Sequence, residues 1–333
     1  MTTSARVRVA GPYFEELERG YVERRAPALT LTEGHAAVHQ AILGGRLRLA
    51  LDAPLARRVC GTDRPLAHPA LVCDVAIGQS TLLTQRVIAN LFYRGLVLRR
   101  MPCIGDTLRT TTEVVALKQN RPRPDRAATG LAVLRIVTVD QEERPVLDFT
   151  RCAMLPLRDP EAATGHADPI EGEPLAFDPI ALTAPVAGWD LAAMDGGGAP
   201  GAGSVFELEG GDVVSAAPEL ARLSLNVAMA HHDRAAGQGG RRLVYGGHTI
   251  GLAAAQLTRA LPDLATIVAW HACDHLAPVF EADTLTSEVE VERTEPLPAG
   301  GGALIHLRSR VRAAREDGAV ADVLDWRLIG VHP

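Results

Sequence analysis

Two short phrases recur at one fixed spacing, and this duplication constrains the fold more than any other feature of the chain. The tripeptide Asp-Thr-Leu at 106–108 returns at 283–285, and Val-Leu-Asp-Phe at 146–149 returns as Val-Leu-Asp-Trp at 323–326. Both pairs are separated by 177 residues. Self-similarity at so long a period predicts two copies of one domain rather than a solenoid of short repeats.

The region between the copies has the composition of a linker. Residues 156–204 are rich in Pro, Gly, Ala and acidic side chains, and they end in a Gly-rich run at 195–203. Such compositions are typical of connecting segments. We therefore predict an N-terminal module at 1–155, a linker at 156–204 that packs in part along the surface, and a C-terminal module at 205–333.

Each copy shows the same order of elements: a short strand, a segment of small apolar residues, and four strand-like runs. The small-residue segments, 70–80 and 249–260, are apolar on nearly every side, whereas an amphipathic surface helix would carry a polar stripe. This order predicts an α+β fold in which a curved antiparallel sheet wraps a buried helix in each copy. The predicted strands are 28–31, 87–98, 107–117, 131–140 and 146–155 in the first copy, and 205–208, 266–275, 284–291, 303–313 and 319–330 in the second.

The bulk properties of the chain exclude several classes of protein. The net charge is −6 and no basic run stands out, which argues against a nucleic-acid-binding face. No apolar run approaches the length of a membrane span, and the first residues lack the apolar core of a signal peptide. The five cysteines are scattered, which predicts buried, reduced thiols in a cytoplasmic protein.

A candidate reactive site lies near the start of the second small-residue segment. Asn226 and His231 stand five residues apart, and Gly246 and Gly247 lead into the segment. Histidine can carry a proton near neutral pH, and N–H groups at a helix start stabilise negative charge on oxygen. The combination favours chemistry on a carbonyl or thioester. Structural alternatives are a surface histidine, a turn or capping amide, and a tight glycine turn.

Other polar residues are better explained by structure. His271, Asp274 and His275 are side-chain types found in iron and zinc sites, but on a strand Asp274 points away from the two histidines, so no metal site is predicted. His35 and His39, four residues apart, predict one face of a helix over the site of the first copy. The aspartates that recur in both copies are expected to make structural hydrogen bonds, and they are Asp106, Asp148, Asp283 and Asp325.

Three phrases carry a resemblance to a known family. Pro-Cys-Ile-Gly-Asp-Thr-Leu at 102–108 and Ala-Pro-Val-Phe-Glu-Ala-Asp-Thr-Leu at 277–285 resemble the AP-x-x-x-GDTL signature of MaoC-like (R)-specific enoyl-CoA hydratases. Arg-Leu-Val-Tyr-Gly-Gly-His at 242–248 resembles the segment that enters their central helix. Together with the repeat, the chain resembles a double hot-dog protein, nearest the mesaconyl-CoA hydratase-like branch and uncharacterised actinobacterial double hot-dog proteins. The resemblance covers almost the whole chain outside the linker.

The catalytic motif of that family is an aspartate, then Asn-Pro, then a histidine five residues after the aspartate. His231 matches the histidine, but Asn226 stands at the aspartate position, and Ala-Met at 228–229 replaces Asn-Pro. In the first copy the same offset points to Leu49 and Pro54, neither of which can move a proton. The resemblance therefore implies one active site, in the second copy.

The resemblance implies reversible hydration of a 2-enoyl-CoA, with His231 as the base on water. Gly246 and Gly247 are expected to hold the thioester oxygen, and Tyr245, His248 and His232 to contact the substrate. The expected ligand is an acyl-CoA, with no further cofactor, and a homodimer is compatible with the fold.

The substitution at Asn226 leaves alternatives open. A non-catalytic acyl-CoA-binding protein is one, and an acyl-CoA thioesterase on the same fold is another. Asp233 and Asp274 are candidates to replace the missing carboxylate.

Overall fold

The structure, a computed structural model, describes residues 6–7, 9–123, 126–170, 172, 177–298 and 300–333. Its strands form one sheet in which the paired strands are antiparallel. The strands are β1 (Val22–Glu23), β2 (Leu29–Thr30), β3 (Ala89–Leu98), β4 (Thr107–Gln119), β5 (Thr129–Val139), β6 (Pro145–Pro156), β7 (Val205–Glu207), β8 (Asp212–Val213), β9 (Thr266–His275), β10 (Thr284–Pro296), β11 (Ala303–Ala314) and β12 (Val320–His332).

The helices of the described ranges lie mainly before the long strands of each copy. They are α1 (Glu33–Leu43), α2 (Arg48–Leu51), α3 (Ala53–Cys60), α4 (Pro69–Gln79), α5 (Pro179–Thr183), α6 (Ala217–Leu223) and α7 (Gly246–Ala260). Helices α4 and α7 correspond to the two predicted small-residue helices. Helix α1 contains both His35 and His39, as predicted.

The two copies meet at the centre of the sheet, where β3 pairs with β9. The strand order is β1-β4-β5-β6-β3 in the first copy, and it continues as β9-β12-β11-β10-β7 in the second. Tyr93 lies opposite Cys273, and Leu96 lies opposite Trp270. The sheet is therefore continuous, and its two halves are related by an approximate twofold axis at this central pair.

The central helices are held against the sheet by the same hydrogen bond in both copies. Nearly every residue of α4 and most residues of α7 are buried, as their small apolar side chains predict. The Gln79 amide donates to the backbone carbonyl of Leu108 at 3.0 Å, and the Gln256 amide donates to that of Leu285 at 2.8 Å. Each such buried bond typically contributes about 1 kcal/mol. The Gln79 bond fixes the register of α4 against β4, and the Gln256 bond fixes that of α7 against β10.

Two of the recurring aspartates close the same turn in each copy. Asp106 Oδ2 accepts the N–H of Cys103, and Asp283 Oδ2 accepts the N–H of Phe280, both at 2.9 Å. The predicted structural role of these aspartates is confirmed.

The other two recurring aspartates make ion pairs across neighbouring strands. Asp148 pairs with Arg135, and Asp325 pairs with Arg308. These ion pairs between neighbouring strands are also structural.

The described part of the linker packs against the outside of the sheet. Leu182 in α5, together with Leu191 and Met194 beyond it, is buried in a cluster that includes Val268 of β9 and Ile329 of β12. A polar linker would leave this apolar surface exposed to water. This part of the linker therefore covers the outer face of the second copy.

The state of the cysteines and the character of the helices agree with what the composition predicted. All five cysteines fall within the described ranges, and none forms a disulfide; four are buried, and Cys60 is half-buried. Across the described residues, no helix combines the length and apolar character that crossing a bilayer requires.

Candidate active site

A cavity of about 540 Å³, here called the central cavity, lies between the two copies. The first copy contributes Thr81 and Arg151 to its wall, and the second contributes Asn226, His231 and Tyr245. The volume lies within the usual range for small-molecule sites. The candidate residues of the second copy therefore face a cavity that the first copy helps to build.

The loop that carries Asn226 and His231 is fixed by hydrogen bonds to the first copy. The N–H of Val227 donates to Thr81 Oγ1 at 3.0 Å, and the N–H of Met229 donates to the carbonyl of Gln85 at 2.8 Å. Leu225 begins the loop with a φ of 61°, a left-handed conformation that costs a non-glycine residue about 1–2 kcal/mol. Contacts from the other copy thus hold a strained loop in place.

His231 ends the short 3₁₀ helix Met229–His231 and lies on the cavity wall. Its Nδ1 lies 2.8 Å from the carbonyl oxygen of Leu243. A carbonyl can only accept, so Nδ1 carries the proton and Nε2 presents a lone pair. Nε2 has no hydrogen-bond partner among the described residues, which leaves it available to a ligand or a water molecule.

The surroundings of His231 keep its imidazole neutral. Burial lowers the pKa of His231 to about 4, although the Leu243 carbonyl opposes the shift, and the neighbouring His232 and Arg151 lower the pKa further. Near neutral pH the side chain is therefore a free base. This is the protonation state that a proton acceptor requires.

Asn226 also lies on the cavity wall, and one of its side-chain atoms has a structural function. Its Oδ1 accepts the N–H of Ala228 at 2.9 Å, which closes a turn just before His231. The amide Nδ2 has no partner in the described parts of the chain. Asn226 therefore acts as a turn residue and can still offer one N–H donor to the cavity.

Helix α7 begins at Gly246, three residues earlier than predicted, so both glycines lie in its first turn. The first N–H groups of a helix have no intrahelical acceptor. Gly246 lies on the cavity wall, whereas Gly247 does not. At Gly246, a Cβ would come within 2.7 Å of the His275 imidazole, and at Gly247 within 2.1 Å of Asp74 Oδ1. A Cβ at either position would therefore force a neighbouring side chain to move, and only Gly246 lies on the cavity wall.

Tyr245 and His275 complete this side of the central cavity. The Tyr245 ring packs edge-on against His231 with 5.7 Å between ring centroids. Its buried hydroxyl makes no well-formed hydrogen bond to a described residue, and burial, together with the nearby carboxylate of Asp74, raises the pKa of Tyr245. Burial lowers the pKa of His275 to about 4, so a second neutral imidazole lies beside Gly246.

Two of the predicted substrate-contacting histidines lie off the wall of the central cavity. His232 Nε2 donates to the carbonyl of Asn226 at 2.7 Å, so this side chain stabilises the loop through its backbone. His248 is fully buried, and burial lowers its pKa to about 4. It follows Gly246 by two positions on α7, which directs it to another side of the helix. Neither residue is among the described lining of the central cavity, and their contact with a substrate stays a prediction.

No carboxylate lines the central cavity among the residues that the structure describes. Asp233 is exposed and caps the N–H of Ala235, and Asp274 is paired with Arg94 at 2.6 Å. Neither substitutes for the acid that Asn226 replaces. Any proton transfer by a side chain of the described cavity lining therefore depends on an imidazole or a tyrosine hydroxyl rather than on a carboxylate.

In the first copy, the loop before the central helix makes the same kind of hydrogen bond to the other copy, but its distance along the chain from the helix differs. The N–H of Arg46 donates to Thr258 Oγ1 at 3.2 Å, just as the N–H of Val227 donates to Thr81 Oγ1. The two threonines are 177 residues apart, but Arg46 and Val227 are 181 apart. The loops before the helices are therefore offset by four residues relative to the helices themselves.

This shift corrects the residues expected at the first site. The counterparts of Asn226 and His231 are Gly45 and Ala50, not the residues at 49 and 54, because the fixed offset ignores the difference in loop length. The counterpart of Gly246 is Pro69, which begins α4 and has no N–H. The first copy thus lacks both the imidazole and the helix-start donor.

A cavity of about 220 Å³ lies near this region of the first copy. His39 and His68 line it, and His39 Nε2 lies 3.2 Å from the buried carboxylate of Asp74. His39 is therefore part of a buried polar pair within the first copy.

Solved structures share this architecture. A conserved hypothetical protein from Mycobacterium tuberculosis, described as having a double hot-dog fold, is 50% identical and superposes with a TM-score of 0.88, covering 98% of this chain and 100% of that one. A protein from Chloroflexus aurantiacus assigned as a MaoC domain dehydratase is 26% identical, with a TM-score of 0.85 and 99% of each chain covered. The predicted double hot-dog fold is confirmed.

Sequence relatives settle the family. No protein-family model matches the chain. β-Methylmalyl-CoA dehydratase from Chloroflexus aurantiacus is 29% identical over 326 residues, which span 92% of this chain and 89% of that protein. Mesaconyl-CoA hydratase from Cereibacter sphaeroides is 30% identical over 315 residues, which span 89% and 88%. The chain belongs to the MaoC-like double hot-dog family of CoA hydratases and dehydratases.

In this MaoC-like protein, sequence reasoning missed two residues of the central cavity. Arg151 lies in the middle of β6, and His275 ends β9, where it was considered only as a metal ligand. Nothing in the sequence distinguishes Arg151 from other strand residues. For His275, the signal was its position just before the Ala-Pro phrase that resembles the family signature.

Proposed function

We propose that the protein catalyses the reversible, (R)-specific hydration of a 2-enoyl-CoA in the central cavity. The observation that carries this proposal is the neutral His231, whose Nε2 lone pair is free while Nδ1 is held by Leu243. Membership in a family of CoA hydratases and dehydratases supports the same reaction. Tyr245 would form an apolar wall for the acyl group.

In this mechanism, one imidazole performs both proton transfers. Nε2 of His231 removes a proton from water as the oxygen attacks C3 of the enoyl group. The electron pair of the double bond moves toward the thioester, whose oxygen gains enolate charge. The N–H of Gly246, with that of Gly247 nearby, would stabilise this charge. The imidazolium then returns its proton to C2, and dehydration runs through the same steps in reverse.

Asn226 would orient the water rather than transfer a proton. An amide cannot accept or release a proton near neutral pH. Its Oδ1 is engaged with Ala228, so the free Nδ2 is the atom that can donate to the water oxygen. Such positioning lowers the entropic part of the barrier.

The pH dependence of the reaction should report the buried imidazole. Burial lowers the pKa of His231 to about 4, so the base form persists well below neutrality. We expect kcat/KM to rise as the pH increases through about 4 and then to stay level up to neutral pH. A pH–rate profile tests this, with circular dichroism at each pH to confirm that the protein is folded. A rise of kcat/KM centred near the ordinary histidine pKa of about 6.5 would contradict the assignment of His231 as the base.

The reaction itself can be tested with crotonyl-CoA and mesaconyl-CoA. Hydration removes the double bond, so the absorbance of the enoyl thioester should fall, and the reverse reaction should restore it. A thiol reagent added in parallel distinguishes hydration from thioester hydrolysis, since only hydrolysis releases free CoA. Absence of turnover with both substrates would count against the proposed function.

A second candidate function is acyl-CoA binding without catalysis. The absence of a carboxylate from the described lining of the central cavity favours it. A carboxylic general acid or base typically contributes about 10²–10⁴ in rate, and Asn226 stands where the family motif has one.

Asn226→Asp separates the two functions. Aspartate can keep the Oδ1 contact to Ala228 and adds a titratable oxygen. If His231 alone transfers protons, kcat should change by less than about tenfold, well below the usual value of an added acid–base group. Steady-state kinetics with crotonyl-CoA measure this. Gln238→Glu, which adds a carboxylate elsewhere on the cavity wall, is the matched control. A large gain confined to Asn226→Asp would show that the native protein is a binder with a lost acid.

The remaining expectations stay predictions. They are a coenzyme A thioester as the only ligand, no additional cofactor, a cytoplasmic location and homodimer formation.

A further inference from the structure

Thr249 is a buried residue with a hydroxyl group on the wall of the central cavity. It is 2% exposed, and the described lining takes two residues from α7, Gly246 and Thr249. Residues three apart share one face of an α-helix and are separated by about 4.5 Å along its axis. Thr249 therefore lies on the cavity side of α7, one such step from the helix start that is proposed to hold the thioester oxygen.

The hydroxyl of Thr249 is not used within the protein. Other buried hydroxyl groups in or beside helices donate to the backbone carbonyl three residues earlier, and these belong to Ser80, Thr81, Ser224 and Thr258. Thr249 makes no such bond, and its hydroxyl has no partner among the described residues. Since a buried polar group without a partner is costly, the hydroxyl needs a bound ligand or water molecule.

The first copy has Val72 at the position of Thr249. The two residues are 177 positions apart, which is the spacing that relates α4 to α7, and both are buried. Valine has the shape of threonine without its hydroxyl. The first copy also has Ala50 and Pro69 where the second has the imidazole and the first glycine of the helix. The hydroxyl is therefore present in the copy that carries the candidate site, and packing at this position does not require it.

The proposed hydration leaves one hydrogen of the attacking water without an acceptor. The water oxygen uses one lone pair to attack C3 and the other to accept from Asn226, while one hydrogen goes to His231. No carboxylate of the described lining can accept the second hydrogen. A threonine hydroxyl has lone pairs that can accept it.

We propose that Thr249 Oγ1 accepts the second hydrogen of the attacking water and binds the resulting 3-hydroxyl group of the product. This inference rests on the proposed function in that the ligand is an acyl-CoA that gains an oxygen at C3. His231 removes one proton as the bond between oxygen and C3 forms. The second hydrogen stays on that oxygen, so no proton passes through Thr249. The alternative is that Thr249 only fills space, as Val72 does.

Binding of a product tests this role without turnover. (R)-3-Hydroxybutyryl-CoA and butyryl-CoA differ only in the 3-hydroxyl group, and His231→Asn protein should bind both without converting them. Isothermal calorimetry should show that this protein binds the hydroxy compound about tenfold tighter, as expected for one neutral hydrogen bond. Adding Thr249→Val should remove the preference by weakening binding of the hydroxy compound, while the Kd of butyryl-CoA stays unchanged. A preference that persists in the double variant would overturn the proposal.

Turnover by the single variants gives a second readout. Thr249→Val should lower kcat for crotonyl-CoA by about tenfold. Its KM should change little, because crotonyl-CoA has no oxygen at C3. Thr249→Ser keeps the hydroxyl and should restore kcat, which a role in filling space does not predict.

Thr258→Val is the matched control, because it removes a buried hydroxyl from the same helix outside the described lining. It should keep both kcat and the preference for the hydroxy compound. Val72 shows that α4 accommodates valine at the equivalent position. If Thr249→Val nevertheless fails to fold, Thr249→Ala removes the same hydroxyl and repeats the test.

The two readouts separate this inference from the proposed function. If the protein hydrates no enoyl-CoA but the binding preference depends on Thr249, the reaction is wrong and the hydroxyl site stands. If crotonyl-CoA is hydrated equally by the wild type and Thr249→Val, and the binding preference is also unchanged, the reaction stands and the role of Thr249 is wrong.

Discussion

Replacing His231 with asparagine should lower kcat for enoyl-CoA hydration by about 10²–10⁴, the usual contribution of a general base. Asparagine can place an N–H near the position of Nδ1 and so keep the hydrogen bond to Leu243. It has no equivalent of the Nε2 lone pair. The loop should therefore keep its shape while the proton acceptor is lost, and the affinity for a saturated acyl-CoA should stay close to that of the wild type.

The control for this variant is another buried histidine. His306 on β11 is buried, and burial lowers its pKa to about 4, as it does for His231, but it does not line the central cavity. His306→Asn should leave kcat unchanged. Hydration that persists at the wild-type rate in His231→Asn would show that the reaction does not pass through this imidazole.

Replacing Gly246 with proline should lower kcat by about 10²–10³, the usual effect of deleting one oxyanion donor. Proline is tolerated at the first position of a helix, and Pro69 already occupies the equivalent position of α4. Tyr245 has a φ of −61° and a ψ of 133°, close to the −62° and 131° of His68 before Pro69. The substitution should therefore remove one N–H without displacing the helix.

Gly246→Ala is the matched control, because alanine keeps the N–H. Both variants add a Cβ that would come within 2.7 Å of the His275 imidazole, so both share any cost of that contact. The difference in kcat between them isolates the N–H. Equal rates for the two variants would show that the thioester oxygen does not rest on Gly246.

The fold was predictable because the sequence contains the same pattern of elements in two copies. Each copy carries a helix of small residues and strands of similar length. The short phrases that recur in both copies show which segments correspond. The imidazole of His231 was predictable because its spacing from Asn226 follows the family motif. Both signals consist of residue types at fixed spacings, which can be read directly from the sequence.

Other features depend on contacts that no local pattern reveals. The start of α7 at Gly246 sets which glycine faces the cavity and turns His248 away from it. The counterparts of the loop that carries Asn226 and His231 shift by four residues because loop length, unlike helix packing, is free to vary. The position of Arg151 in the cavity depends on how β6 packs against the end of α4. Whether its charge is paired is a property of the assembled molecule.

The mutual support of the two copies limits how far either can diverge. The first copy has Ala50 at the position of His231, yet its Thr81 and Gln85 hold the loop of the second copy, and its Arg151 lies on the wall of the central cavity. Changes in the first copy should therefore be tolerated only where they leave that loop and that wall undisturbed.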